Sequence, residues 1–230
     1  MEQTFYFIII GAIIFEYVLS TLSSVLNMNS IDERIPEGFE NYYDKKKYAK
    51  SQFYLKDKTM FGLLSSTFSL ILILIVIHTG LFGNLDIFVS ETTDNQILRG
   101  LMFFGILFLI NDIINIPFSI YSTFVIEEKF GFNKTTVKTY IFDKLKGYGL
   151  TIVLGSLVMS LILYFFNTYT TNGWIIAWGV ITAFIIAVQP LFVHVIAPMF
   201  NKFTSLKEGE LRSAIEDFAE KVNFPIGRID

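Results

Sequence analysis

Residues 68–77 read FSLILILIVI, and Ser69 is the only polar side chain in the run. A helix at the surface of a soluble domain keeps one face polar; this one has no polar face to offer. A segment apolar on every side belongs in a hydrocarbon solvent, and crossing a core roughly 30 Å thick takes about 20 such residues. Outward from these ten positions the apolar run extends over residues 60–82. Comparable blocks stand at residues 5–26, 97–121, 147–166 and 174–196. Five such blocks are more than the core of a 230-residue soluble domain hides. The expected fold is therefore all-α, a bundle of about five transmembrane spans.

Composition agrees. The chain is 53% hydrophobic and 17% charged, against roughly 25% charged in an average soluble domain, and its mean hydropathy is +0.54. Such a balance excludes disorder, which needs few apolar residues and high charge. A net charge of −3 leaves no basic surplus for nucleic acid, so none is expected as a partner. Zero cysteines exclude disulfides and thiolate metal sites. No Lys or Arg precedes the first block, which is also too long for a cleavable signal, so it reads as a retained anchor.

Loop charges orient the bundle. Residues 27–59 hold seven Lys or Arg, residues 122–146 hold five, and the tail after Ala197 holds five: Lys202, Lys207, Arg212, Lys221 and Arg228. Residues 83–96 and 167–173 hold none, and Arg99 sits at a helix end. By the positive-inside rule the N-terminus lies outside and the C-terminus in the cytosol. Trp174 and Trp178, at the outer start of the fifth span, fit an interfacial belt.

The first cytosolic loop contains PEGFENYYDKKKYAKSQFYLKDK, residues 36–58, and is expected to carry its own helix. Its lysines and tyrosines fit a solvated helix that meets the charge bias, and equally a surface for anionic headgroups. In the second, VIEEKFGFNKTTVKTYIFDKLK, residues 125–146, Gly131 is expected to break the helix and Asn133 to precede the next one. Near the C-terminus, Ser205 and Glu208 form a capping-box pattern. Leu211, Ile215, Phe218 and Val222 then recur at helical spacing, Phe224-Pro225 stops the helix, and residues 226–230 read as the start of a strand. Such a unit calls for further chain to cover its apolar face, so a soluble domain is expected to continue past Asp230. The expected domains are residues 1–200, transmembrane with cytosolic loops at 27–59 and 122–146, and 201–230, the opening of a cytosolic domain.

Ionisable groups inside spans are costly and point to function. Glu16 lies mid-span in the first block, and His78 lies near the outer end of the second. Asn111, Asp112 and Asn115 of the third share an arc of about 100°. Gln189 and His194 lie in the fifth, bracketed by Pro190 and Pro198. Glu16 and His78 fit interhelical hydrogen bonding; the Asn111/Asp112/Asn115 face fits a water-filled chamber. By topology Glu127, Glu128 and His194 lie near the cytosolic surface, where they are candidates for a shared site mouth. His78 and His194 are at opposite ends and cannot share a metal. The chain has no HExxH, no P-loop and no GxSxG. Intramembrane glutamate proteases of the second CAAX-processing type follow a double Glu by an Arg four residues later; Phe132 stands there here, and the accompanying helical histidines are missing.

The segments VIEEKFGFNKTT (125–136) and FDKLK (142–146) resemble the loop after the third span of type I CAAX prenyl endopeptidases, multi-span zinc metalloproteases. The stretch IAPMFNKFTSLKEGELRSAIEDFAEKVNFPIGRID (196–230) is similar to their passage from the fifth span into the catalytic domain, and residues 36–58 resemble their first cytosolic loop. The resemblance implies spans around a large chamber, a zinc on two His and one Glu, and prenylated or membrane peptides as substrates. It implies that HExxH lies beyond Asp230, within about 60 further codons, on a catalytic half that this chain lacks. No catalytic or metal-binding residue is then expected here, and the chain alone is expected to be inactive. Zinc belongs to the intact protein; lipids, a peptide substrate and the catalytic half are the expected partners. Candidate chamber or access residues are Asn111, Asp112, Asn115, Glu127, Glu128, Asn133 and His194. Phe130, Gly131 and Phe132 match the same family motif.

Two rival readings stay open. A transporter or channel would use the polar third span and broken fifth span as a midplane site, although no inverted repeat is visible; flux lost on Asp112→Asn marks that case. A non-catalytic scaffold would bind a complete protease, and pull-down without flux or peptidase activity marks that one. Composition favours a bacterial plasma membrane over the endoplasmic reticulum.

Overall fold

The computed structural model describes every residue except Met1, Thr170, Lys202, Arg228 and Asp230. Lys202 and Arg228 of the cationic tail, and two positions of the expected strand start, thus lie outside the described residues. Among the described residues all regular structure is helical. Two compact units divide the chain, Met1–Lys144 and Leu145–Asp230.

In the first unit, α1 (Glu2–Asn29) and α2 (Lys45–His78) pack side by side. A 34-residue helix is about 51 Å long, well beyond the ~30 Å of hydrocarbon. The surplus is the N-terminal part of α2, which carries the lysines of the first loop. That loop therefore has no separate helix: its second half is an extension of the second span. Asp44 caps the extension by accepting the Lys47 N–H at 2.9 Å. An anionic cap also offsets Lys45, Lys46 and Lys47, which the helix dipole disfavours in a first turn.

The second span ends at His78 rather than continuing to residue 82. Thr79 and Gly80 interrupt it, Gly80 at a φ of +69°, where a side chain would be strained. A short helix α3 (Leu81–Thr92) then fills what the sequence reads as an outer loop. It is tied to α4 (Gln96–Tyr121) by Arg99 and Asp86 at 3.4 Å. Asn95 caps α4, accepting from the N–H groups of Ile97 and Leu98, both at 3.0 Å.

Pro117 removes a backbone donor inside α4 and crowds the preceding turn. Further along, the helix widens into a π-helical turn, Ser122–Glu127. Gly131, at a φ of +69°, then ends the helix. Phe132 N–H donates to Glu127 O and Gly131 N–H to Glu128 O, each at 2.9 Å. This pair of bonds is a Schellman cap. The next helix, α5 (Val137–Leu150), starts later than Asn133 suggests. Its cap is Thr136, whose hydroxyl accepts the Thr139 N–H at 3.1 Å; Asn133 instead accepts the Thr135 N–H at 2.7 Å.

From α5 the chain runs without a break through a π turn (Thr151–Gly155) into α6 (Ser156–Thr168). The fourth span is thus one helix from Val137 to Thr168, ten residues longer at its start than the apolar block. In the second unit α6 packs on α7 (Gly173–Leu191). A Cβ on Gly173 would sit 2.8 Å from the Phe165 carbonyl oxygen, so the hairpin requires a glycine there. Pro190 in α7 is followed by a third π turn (Phe192–Ile196) and α8 (Ala197–Phe200).

The last helix, α9 (Glu210–Lys221), begins after Gly209 with no side-chain cap, so Ser205 and Glu208 do not form a capping box. Leu206 is held elsewhere: its N–H donates to Ile229 O and its carbonyl accepts from Arg212 Nη1, both at 2.9 Å. Those bonds pull it out of helical register. The helix also stops before Phe224-Pro225, at Asn223 with a φ of +52°. No strand forms among the described residues of 224–229.

Among the described residues, five continuous helices are long and apolar enough to cross a membrane. Few of their residues are buried, and Phe7, Phe15, Leu64, Ile113 and Ile152 are each more than half exposed. In water such surface would be untenable; facing lipid, it is what holds the helices in place. The chain is a multi-pass membrane protein.

Candidate functional site

The first unit holds an open-sided cavity of about 730 Å³ between α1, α2, α3 and α4. Its wall is mainly aliphatic, from residues such as Leu70, Ile73, Val76 and Ile110. A polar stripe runs across it: Glu16, Tyr17 and Ser20 from α1, Ser66 and Ser69 from α2, Asn111 and Asn115 from α4. Helical periodicity explains the stripe. Residues 16 and 20, and 111 and 115, are each one turn apart, so each pair stacks on one face. Apolar walls with a few convergent polar groups are the usual make-up of a ligand site, and the volume falls within the usual ~300–1,000 Å³.

Hydrogen bonds hold the stripe. Tyr17 Oη and Thr67 Oγ1 lie 2.7 Å apart and join α1 to α2. Asn115 Nδ2 donates to Asn111 O at 2.7 Å and to Asn111 Oδ1 at 3.2 Å. The ladder points both amides into the cavity. Glu16 stands on the opposite wall, exposed to the same space. His78 lies away from this site, where its Nδ1 is 3.4 Å from Tyr6 Oη.

Asp112 parts company with its neighbours. It does not line the cavity; its carboxylate binds Lys144 Nζ of α5 at 2.5 Å. The sequence reads Lys144 as a loop cation, whereas it sits on the extended fourth span and neutralises the acidic group of the third. A lone carboxylate in a span calls for a counter-charge, and that demand is the signal by which Lys144 was to be found.

Glu127, Glu128 and Asn133 also lie apart from the cavity. Glu127 is 3.6 Å from Lys58 on the α2 extension, and Glu128 Oε2 accepts from Asn133 Nδ2 at 2.9 Å. Phe130 is buried, and the Tyr54 ring of α2 packs edge-on against both Phe130 and Phe132, at 5.5 and 4.8 Å. The EEKFGFN turn thus clasps the lysine-rich extension: two segments far apart in sequence form one structure. His194 belongs to the second unit, where its Nδ1 is 2.8 Å from Pro190 O, one turn back in its own helix.

Among the described residues no three His, Asp or Glu side chains gather into a metal-binding group.

Residues 24–202 match the model of the CAAX prenyl protease N-terminal family, described as having five membrane helices. "Probable CAAX prenyl protease 1" of Schizosaccharomyces pombe is 35% identical over 86% of this chain and 44% of its own length. CAAX prenyl protease 1 of Saccharomyces cerevisiae is 32% identical over 86% of this chain and 46% of its own. The crystal structure of S. mikatae Ste24p superposes with a TM-score of 0.83 at 30% identity, covering 97% of this chain and 53% of that one. The chain spans about half the length of the curated relatives it matches.

Proposed function

This chain belongs to the CAAX prenyl protease N-terminal family, and on that premise we propose that it forms the membrane-embedded substrate chamber of a zinc metalloendopeptidase. The substrates on this reading are prenylated CAAX peptides or other membrane peptides. One observation carries the proposal: the cavity joins an aliphatic wall to a line of amides, hydroxyls and one carboxylate inside a membrane span. The wall suits an isoprenoid or apolar side chain. The stripe suits a peptide backbone, whose donors and acceptors need partners away from bulk water.

Zinc chemistry has no ligand set among the described residues, so we place it on a segment outside this chain, following residues 201–230. That reading makes residues 1–200 the transmembrane domain and makes this chain alone inactive. Glu16, Asn111 and Asn115 line the chamber. Asp112 positions α4 through Lys144, and Glu127, Glu128 and Asn133 brace the turn beside it. The loop charges orient the N-terminus outward and the C-terminus to the cytosol. As to the host, composition favours a bacterial plasma membrane, while the relatives named above are fungal.

The test uses the protein expressed from its full reading frame, with a prenylated CAAX peptide as substrate. Release of the C-terminal tripeptide, abolished by a chelator and restored by zinc, supports the proposal, with no release from residues 1–230 alone. Release by residues 1–230 alone, or release insensitive to chelation, contradicts it. Glu16→Gln is expected to lower kcat/KM of the intact protein about tenfold, ~1.4 kcal/mol of transition-state binding.

A further inference from the structure

The α2 extension and the turn it clasps form a second concavity, of about 470 Å³, that the chamber reading does not use. Lys46, Lys50, Phe53 and Asp57 line it from α2, and Lys129 and Phe130 from the turn after α4. Its charge is unbalanced. Asp57 is taken by Lys129 at 2.6 Å. Lys46 and Lys50 have no acidic partner among the described residues; Lys50 Nζ lies 5.9 Å from the centre of the Phe132 ring. Two exposed aromatic side chains, Phe53 and Phe132, stand beside these ammonium groups.

Its position along the helix is as telling as its charge. Asp57 lies three residues before Met60, where the apolar run of α2 begins, or about 4.5 Å along the axis. Lys50 lies ten residues before it, about 15 Å. The headgroup layer adds roughly 5–8 Å outside the hydrocarbon on each side, so Asp57 lies within it, while Lys50 and Lys46 lie beyond it on side chains long enough to reach back toward the phosphate esters.

We propose that this concavity binds the phosphate of an anionic phospholipid, with Lys46 and Lys50 on the headgroup and Phe53 and Phe132 against the glycerol and upper acyl chains. Bound there, the lipid bridges the α2 extension and the EEKFGFN turn. The inference goes beyond the proposed peptidase and does not depend on it.

The detergent-solubilised chain is titrated with dioctanoyl phosphatidic acid, with dioctanoyl phosphatidylcholine and inorganic phosphate as comparison ligands, by isothermal calorimetry. Saturable binding of phosphatidic acid is expected, at least tenfold tighter than either comparison. Lys46→Gln/Lys50→Gln is expected to weaken it tenfold or more, Lys46→Arg/Lys50→Arg to retain it within threefold, and Lys45→Gln/Lys47→Gln within twofold. Retention in the Arg pair ties the loss to charge at those positions rather than to folding. Equal weakening by the two Gln pairs means diffuse attraction and overturns the site. Equal binding of inorganic phosphate overturns the lipid as its source, and equal binding of phosphatidylcholine overturns the role of charge.

Discussion

Asp112 and Lys144 show how much one side chain depends on where a helix begins. The acidic group is conspicuous in the sequence because the only other charged residue of its span is Arg99, at the far end. Its partner is hidden because Gly147 and Gly149 mark the edge of the apolar block and invite a boundary there. A glycine costs a helix only about 1 kcal/mol relative to alanine. At a membrane surface, leaving backbone groups unpaired costs more, so the helix runs through and carries Lys144 to Asp112. Both side chains are under a quarter exposed, so removing one charge strands the other. Asp112→Asn is expected to destabilise the chain by roughly 2 kcal/mol, read as a lower thermal midpoint in detergent. Asp112→Leu/Lys144→Leu is expected to recover more than half of that loss, and a double variant no better than the single one counts against the pairing. Of the polar groups visible in the third span, Asn111 and Asn115 enter the cavity and Asp112 does not. A 100° arc is wide enough to serve two neighbours at once, which periodicity alone does not reveal.

Among the elements, the ends are where sequence and structure differ most. The stop at Gly131 is legible because a left-handed residue between two phenylalanines leaves little choice. Ser205 and Glu208 mislead because long-range bonds to Leu206 outweigh a local cap. The helix extending α2 is legible as helix but not as part of the second span, since hydropathy sees only its apolar half. Two glycines then make separable predictions. Gly131→Ala forces a side chain into the left-handed region, at a cost of about 1–2 kcal/mol. It should loosen the turn from α2, seen as faster amide exchange at residues 127–133. Gly173→Ala drives a methyl toward the Phe165 carbonyl 2.8 Å away. It should cost roughly 1–3 kcal/mol and leave exchange at residues 127–133 unchanged. Identical exchange patterns in the two variants would show that neither local explanation holds.

For the molecule as a whole, the number of spans and the loop-charge alternation are written in the sequence because lipid accepts so few alternatives. The cavity is not written there. It depends on three helices turning their short polar side chains toward one another, and a helix rotated by a third of a turn would present lipid-facing isoleucines instead. The central claim is that water reaches Asn111 and Asn115 inside the membrane. Because the chain has no cysteine, single cysteines introduced at chosen positions report one site each. Asn111→Cys, Asn115→Cys and the lipid-facing Ile113→Cys are to be treated, in sealed vesicles, with a charged maleimide added to either side. A maleimide reacts with the thiolate, which forms only where water is present. Labelling at 111 and 115 with none at 113 is the result predicted here; equal silence at all three would mean a dry, closed bundle and would contradict the account.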